Sequence, residues 1–153
     1  MARIPTFDAF WPYYLSEHRS PLDRGLHFVG TTLFFLAMAA SVAFSPVWFP
    51  LALPVAALAA WWGAARLEPQ RPAFVAMLLI FLPLFAASPF WVTGGMVAAY
   101  AFAWVGHFGV EGNRPATFKY PVWSFLCDFR MWSHMARGRL WSGDPLVELK
   151  LSS

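Results

Sequence analysis

GLHFVGTTLFFLAMAASVAFSPVWFPLALPVAALAAWWGAA, residues 25–65, contains no Asp, Glu, Lys or Arg, and neither does residues 72–110, PAFVAMLLIFLPLFAASPFWVTGGMVAAYAFAWVGHFGV. Each stretch is about twice the roughly 20 residues that a helix needs to cross a bilayer. A single helix of about 40 residues would be about 60 Å long against a hydrocarbon core of about 30 Å, so each stretch must double back. A breaker stands near the middle of each: Ser45-Pro46-Val47-Trp48-Phe49 and Ser88-Pro89-Phe90-Trp91-Val92 are Ser-Pro turns followed by interface-seeking aromatics. The pattern predicts an all-α polytopic membrane protein of about four spans in two hairpins, over residues 28–44, 47–65, 73–87 and 90–110. Pro50, Pro54 and Pro83 are expected to kink them.

Composition agrees with that reading and places all 153 residues in a single integral membrane domain. The chain is 59% hydrophobic and only 12% charged, with a mean hydropathy of +0.51. A soluble helical bundle of this size would have little polar surface left to show to water. Four spans return the chain to its starting side, so the N-terminal segment, the Arg66 to Arg71 loop and the C-terminal segment share one face. All 11 Lys and Arg lie there, which makes that face and both termini cytoplasmic by the positive-inside rule. The net charge of +3 does not point to nucleic acid, because the basic residues are single arginines flanked by Trp and Phe, a pattern suited to anionic lipid. The N-terminal residues do not read as a secretory signal.

Two flanking segments are expected to lie at the interface. Phe7, Phe10, Trp11, Tyr14, Leu15 and His18 recur at helical spacing, and Trp123 to Trp141 mixes Trp, Phe, Leu and Met with Arg130, Arg137 and Arg139. Ser20-Pro21-Leu22-Asp23 has a Ser cap, Pro at the first helical position and an acid three residues after the cap, so a helix starts near Pro21. Gly112-Asn113-Arg114-Pro115 ends the fourth span.

The single cysteine, Cys127, excludes a thiolate metal cluster and a disulfide framework. Gly-rich phosphate loops, nucleophile elbows and His-Glu-x-x-His motifs are absent from the sequence, and no ionisable residue lies mid-span as a transporter would need. Chemistry therefore falls to the four histidines. His18 and His27 flank the start of the first span, while His107 and Glu111, at i and i+4, share a face at the end of the fourth. The topology brings all four groups to one depth. A carboxylate in the last turn of a helix requires a positive partner, either a metal ion or Arg114. Imidazole plus carboxylate suits Fe(II), Zn(II) or Mn(II). Asp23 and Asn113 could orient ligands or simply cap helices. His134 reads as a surface residue.

Tyr13-Tyr14-Leu15-Ser16-Glu17-His18-Arg19-Ser20-Pro21, Leu26-His27-Phe28-Val29-Gly30-Thr31, Gly106-His107-Phe108-x-x-Glu111-x-Asn113-Arg114-Pro115-Ala116-Thr117-Phe118 and Tyr120-Pro121 together resemble the Mpo-type family, named for the metabolism of phytosphingosine to odd-numbered fatty acids. Nearly the whole chain takes part. The resemblance implies an Fe(II)-dependent dioxygenase that performs α-oxidation of a 2-hydroxy fatty acid to the acid one carbon shorter, using molecular oxygen. Carried over residue by residue, the family ligands are His18, His27, His107 and Glu111, with Arg19, Arg24 or Arg114 available to the substrate carboxylate. Ser20 and Asp23 stand where family members often have Asn, and Pro-Ala-Thr-Phe-x-Tyr-Pro belongs to a smaller bacterial-looking branch, which implies a bacterial inner membrane. Two competing readings remain: a non-enzymatic membrane protein that binds lipid or a partner through its aromatic, arginine-rich cytoplasmic surface, and a metal-dependent hydrolase, favoured if Zn(II) supports turnover without oxygen.

Overall fold

The computed structural model describes residues 3–68 and 73–151, and among them the fold is all-helical, without strands. Helix α1 (Phe7–Ser16) starts where the Thr6 side chain accepts the Ala9 N–H. Helix α2 (Pro21–Phe44) begins at the expected cap, with the Ser20 hydroxyl accepting the Leu22 N–H and Pro21 opening the first turn. Next come α3 (Trp48–Trp62), which widens into a π turn over Gly63–Leu67, then α4 (Phe74–Ala87) and α5 (Pro89–Trp104), which widens into a second π turn over Val105–Glu111. A short 3-10 turn (Ala116–Phe118) leads to α6 (Pro121–Met135), and α7 (Pro145–Glu148) is one turn long. The breakers fall where the sequence places them, since Ser45 ends α2 and Ser88 both ends α4 and precedes α5. Residues 69–72, which take in the end of the expected Arg66 to Arg71 loop, lie outside the described residues.

The closest packing does not follow the expected hairpins. Helix α2 lies along α5 and α3 lies along α4, whereas α2 and α3 barely touch. Small residues explain the choice. A Cβ on Gly95 would come within 2.8 Å of the Ala37 Cβ, and one on Gly30 within 3.1 Å of the Ala99 carbonyl, so α2 and α5 approach closely through their glycines. At the far end the two Ser-Pro turns meet, with Phe44 stacked on Trp91 at 5.4 Å.

The four helices turn large apolar side chains outward, among them Leu36 on α2, Leu58 on α3, Leu78 and Leu82 on α4, and Val97 on α5. Two segments, Pro21–Phe44 and Trp48–Leu67, are long and apolar enough to cross a membrane, and only 28% and 22% of their most apolar windows are buried. A core helix of a soluble protein would be mostly buried instead. Helix α4 is apolar but shorter.

The two segments expected to rest on the interface differ from that expectation. Their apolar faces are buried in each other: Phe10, Trp11, Tyr14 and Leu15 of α1 form one core with Trp123, Cys127, Met131 and Met135 of α6, joined by Tyr120 and Leu140. Aromatic faces buried this way cannot also lie on lipid. The cap so formed is pinned to the bundle by buried polar groups. The Glu68 carboxylate accepts the Val122 and Trp123 N–H groups at the start of α6, and Arg3 donates to the carbonyls of Glu68 and Lys119.

Candidate functional site

The cap closes over one end of the bundle, and three histidines meet beneath it. His18 lies just after α1, His27 one turn into α2, and His107 within the π turn that ends α5. All three are buried, and one ligand nitrogen of each lies within 4.8 Å of the other two. Their ring centroids are 4.6 Å (His18–His27), 4.7 Å (His18–His107) and 5.1 Å (His27–His107) apart. A π turn offsets the residues that follow it from the α-helical path and recurs at functional sites; here it carries His107.

Each ring is held through Nδ1. His18 Nδ1 donates to the Tyr14 carbonyl at 2.6 Å, His27 Nδ1 to Asp128 Oδ1 at 3.0 Å, and His107 Nδ1 to Asn113 Oδ1 at 2.7 Å. Asn113 is fixed in turn by donating from Nδ2 to the Glu17 carbonyl, and Asp128 accepts the Tyr14 hydroxyl. With Nδ1 carrying the proton, each Nε2 presents a lone pair, the arrangement by which outer partners set the tautomer of metal-ligating histidines. Nε2 of His18 and of His27 is buried without a hydrogen-bond partner. Burial, and then the neighbouring His27 and His107 rings, pull His18 well below its ordinary value, so it is neutral. Three imidazoles converging in this way, two of them with a buried Nε2 that no hydrogen bond occupies, fit a divalent transition metal.

Below the histidines runs a narrow cavity of about 60 Å³. Its upper wall carries Tyr14, Tyr100, Thr31 and Asp128, and its lower wall Phe34, Phe81, Met96, Phe125 and Phe129. Among the described residues, no Arg or Lys lines it. The shape is polar at the histidine end and apolar toward the bundle.

The other residues singled out in the sequence divide. Asn113 reaches the site as an orienting partner of His107, and Asp23 does not cap α2 but stands with Oδ1 3.7 Å from His27 Nε2. Glu111 falls outside the group of three, as does Asp23; Glu111 Oε1 accepts the Ser20 N–H at 2.6 Å and so fixes the entry to α2. Arg24 is buried and committed to backbone carbonyls, donating to His18, Arg19, Leu140 and Gly143, while Arg19 and Arg114 are exposed. None of the three arginines lines the cavity. His134 stacks on Trp11 away from the site. Asp128 was not singled out in the sequence. Its signal is that it is the sole acid between Glu111 and Asp144, set among Cys127 and Phe129, where an unpaired carboxylate would be costly.

No curated protein and no solved structure matches the chain. A family model described as "2-hydroxy-palmitic acid dioxygenase Mpo1-like" matches residues 4–84 and 75–140, so it takes in α1 through α6, all three histidines and both residues that orient His27 and His107. Across that length, the chain belongs to the Mpo1-like family of 2-hydroxy-palmitic acid dioxygenases.

Proposed function

We propose that this protein is an iron-dependent dioxygenase of the membrane, converting a 2-hydroxy fatty acid to the acid one carbon shorter. The observation that carries the reading is the convergence of three Nδ1-anchored histidines at the polar end of an otherwise apolar cavity. His18, His27 and His107 would hold the metal, and Glu111, by anchoring Ser20, would position the segment that joins His18 to α2. A ferrous ion bound there supplies a Lewis-acidic and redox-active centre for oxygen chemistry. The balance closes with one dioxygen: the C1–C2 bond breaks, C1 leaves as carbon dioxide, C2 becomes the new carboxyl, and the remaining oxygen leaves as water.

The residues of this chain account for placement. Phe34, Phe81, Met96, Phe125 and Phe129 line an apolar route for the acyl tail, which their side chains must part to admit. The described wall holds no Arg or Lys, so a carboxylate head group would find its positive partner only at the histidine end, with the ion bound. Tyr14, whose hydroxyl is pushed up by burial and by Asp128, stays protonated and keeps Asp128 turned toward His27. A lipid substrate can then react with its head at the membrane boundary and its tail among the helices.

The same reading has α2, α3 with its π turn, α4 and α5 as four spans, with both termini and the site on the cytoplasmic side of a bacterial inner membrane. Outward apolar faces on all four helices and the clustering of basic residues at the site end support it. At 14 residues α4 is about 21 Å long, shorter than the hydrocarbon core, which a locally thinned bilayer accommodates. To test the activity, purified protein loaded anaerobically with Fe(II) is given 2-hydroxypalmitate and oxygen. Pentadecanoate is the expected product; a protein that holds one iron per chain yet forms none would refute the reaction.

A further inference from the structure

Asp23 occupies the first turn of α2, one turn before His27. It is fully buried, and neither carboxylate oxygen has a hydrogen-bond partner. Native proteins leave few such atoms, and a buried carboxylate without a counter-charge is strongly disfavoured. The adjacent Arg24 does not supply that charge, because its guanidinium points to the carbonyls of His18, Arg19, Leu140 and Gly143. Facing Asp23 Oδ1 at 3.7 Å is His27 Nε2, and with the Nδ1 proton given to Asp128 that nitrogen offers a lone pair. The two atoms thus face each other at the edge of the three-histidine cluster, an arrangement that a cation shared between them, a proton on His27 Nε2 or a metal ion, would hold. The opposite helix makes room for this: a Cβ at residue 106 would lie 1.9 Å from Asp23 Oδ1, so only glycine fits next to His107 while the carboxylate stands where it does.

We infer that Asp23 is itself a ligand of the metal, making the centre three histidines and one carboxylate. The inference rests on the metal reading of the three histidines given above. It assigns to Asp23 the place that spacing along the fourth span suggested for Glu111, whose Oε1 is held by the Ser20 N–H. It also closes the local charge. Asp23 beside Nε2 and Asp128 beside Nδ1 of His27 are two negative groups, which a divalent ion neutralises. The added hard oxygen donor favours Fe(II), Mn(II) or Zn(II) over softer ions.

The test uses Co(II) as the probe, titrated into metal-free full-length protein in detergent. Wild type is expected to bind one Co(II) per chain with visible ligand-field bands. Asp23→Asn should bind at least about 100-fold more weakly, beyond the 10- to 100-fold of a group that merely orients a ligand, and with shifted bands. His107→Ala serves as the reference for a lost ligand. Wild-type affinity and bands in Asp23→Asn, beside failed binding in His107→Ala, would overturn the assignment of Asp23 and leave the histidine site standing. Absence of binding in wild type would instead overturn the metal reading, and this inference with it. A second measurement does not depend on Asp23→Asn folding. The metal-loaded minus metal-free infrared difference spectrum of wild type should contain a carboxylate band that persists in Glu111→Gln and Asp128→Asn. Loss of the band in Glu111→Gln would return the ligand role to Glu111.

Discussion

Two of the long apolar helices end in the same way, with a π turn beneath the cap, and put it to different use. The turn over Gly63–Leu67 delivers Glu68, both of whose carboxylate oxygens are occupied by the N–H groups of Val122 and Trp123. The turn over Val105–Glu111 delivers His107, whose ring is fixed through Nδ1 while Nε2 faces two other imidazoles. Both residues are buried polar groups at the same end of the bundle. What separates them is satisfaction: Glu68 is consumed by the fold, and the histidine cluster is held in place but left open. Polar groups that are anchored on one side and free on the other mark the part of a buried network available for chemistry.

The most direct way to break this contrast is to truncate one residue from each turn. His107→Ala should lose bound metal and turnover together while folding normally, as read by metal analysis and thermal unfolding in detergent. Full metal occupancy in that variant would remove His107 from the ligand set. Asp128→Asn probes the anchor rather than the ligand. It weakens the bond that fixes the His27 tautomer, and metal affinity should fall about 10- to 100-fold with the stoichiometry unchanged. Unaltered affinity would mean that Asp128 serves Tyr14 alone.

Glu68→Ala should do the reverse of His107→Ala. Metal per folded chain stays constant, while stability falls by about 1–2 kcal/mol because two N–H groups at the start of α6 lose their acceptor. The pH dependence sharpens the point. Burial pushes the Glu68 carboxyl up from 4.5 to about 7, against the pull of the two N–H donors and Arg3. Between those values the folded protein holds a proton that the unfolded chain has lost, so stability declines as pH rises from about 4.5 to about 7. Glu68→Gln should flatten that decline. A slope that survives the substitution belongs to another group.

This contrast also sets what could be read in advance. Charge-free stretches and Ser-Pro breakers depend on local composition, and the helix limits fell within a few residues of expectation. His18, His27 and His107 were legible because the return of the chain to one side fixes their depth without any side-chain detail. The pairing of α2 with α5 was not, since it depends on Gly30 and Gly95 finding partners on a helix far along the chain. Nor was the cap. An amphipathic helix rich in Trp and Arg suits a lipid surface and another helix equally well, and only the complementary face of α1 decides between them. The same gap hid Asp128, which reaches His27 from α6, and the bond between Glu111 and the Ser20 N–H, because i, i+4 spacing says which residues share a face and not which hydrogen bonds they make.

The smallest expected effect comes from the fourth histidine. His134 stacks on Trp11 at 5.8 Å with its ring 18° from parallel, and its Nδ1 is buried without a partner. In that respect it resembles the site histidines, but it belongs to no group of three: the metal-capable cluster among the described residues holds His18, His27 and His107. Burial, then Arg139, Arg130 and Arg137, hold it below its ordinary value, so it is neutral and contributes contact rather than charge. His134→Ala removes an aromatic contact of about 0.5–1.5 kcal/mol and, with it, one unsatisfied nitrogen, so the two changes largely offset. Thermal stability should move by less than about 1 kcal/mol and metal content by nothing measurable. Loss of metal in this variant would show that a free buried nitrogen alone does not distinguish the open cluster from the closed fold, and the contrast between the two π turns would lose its basis.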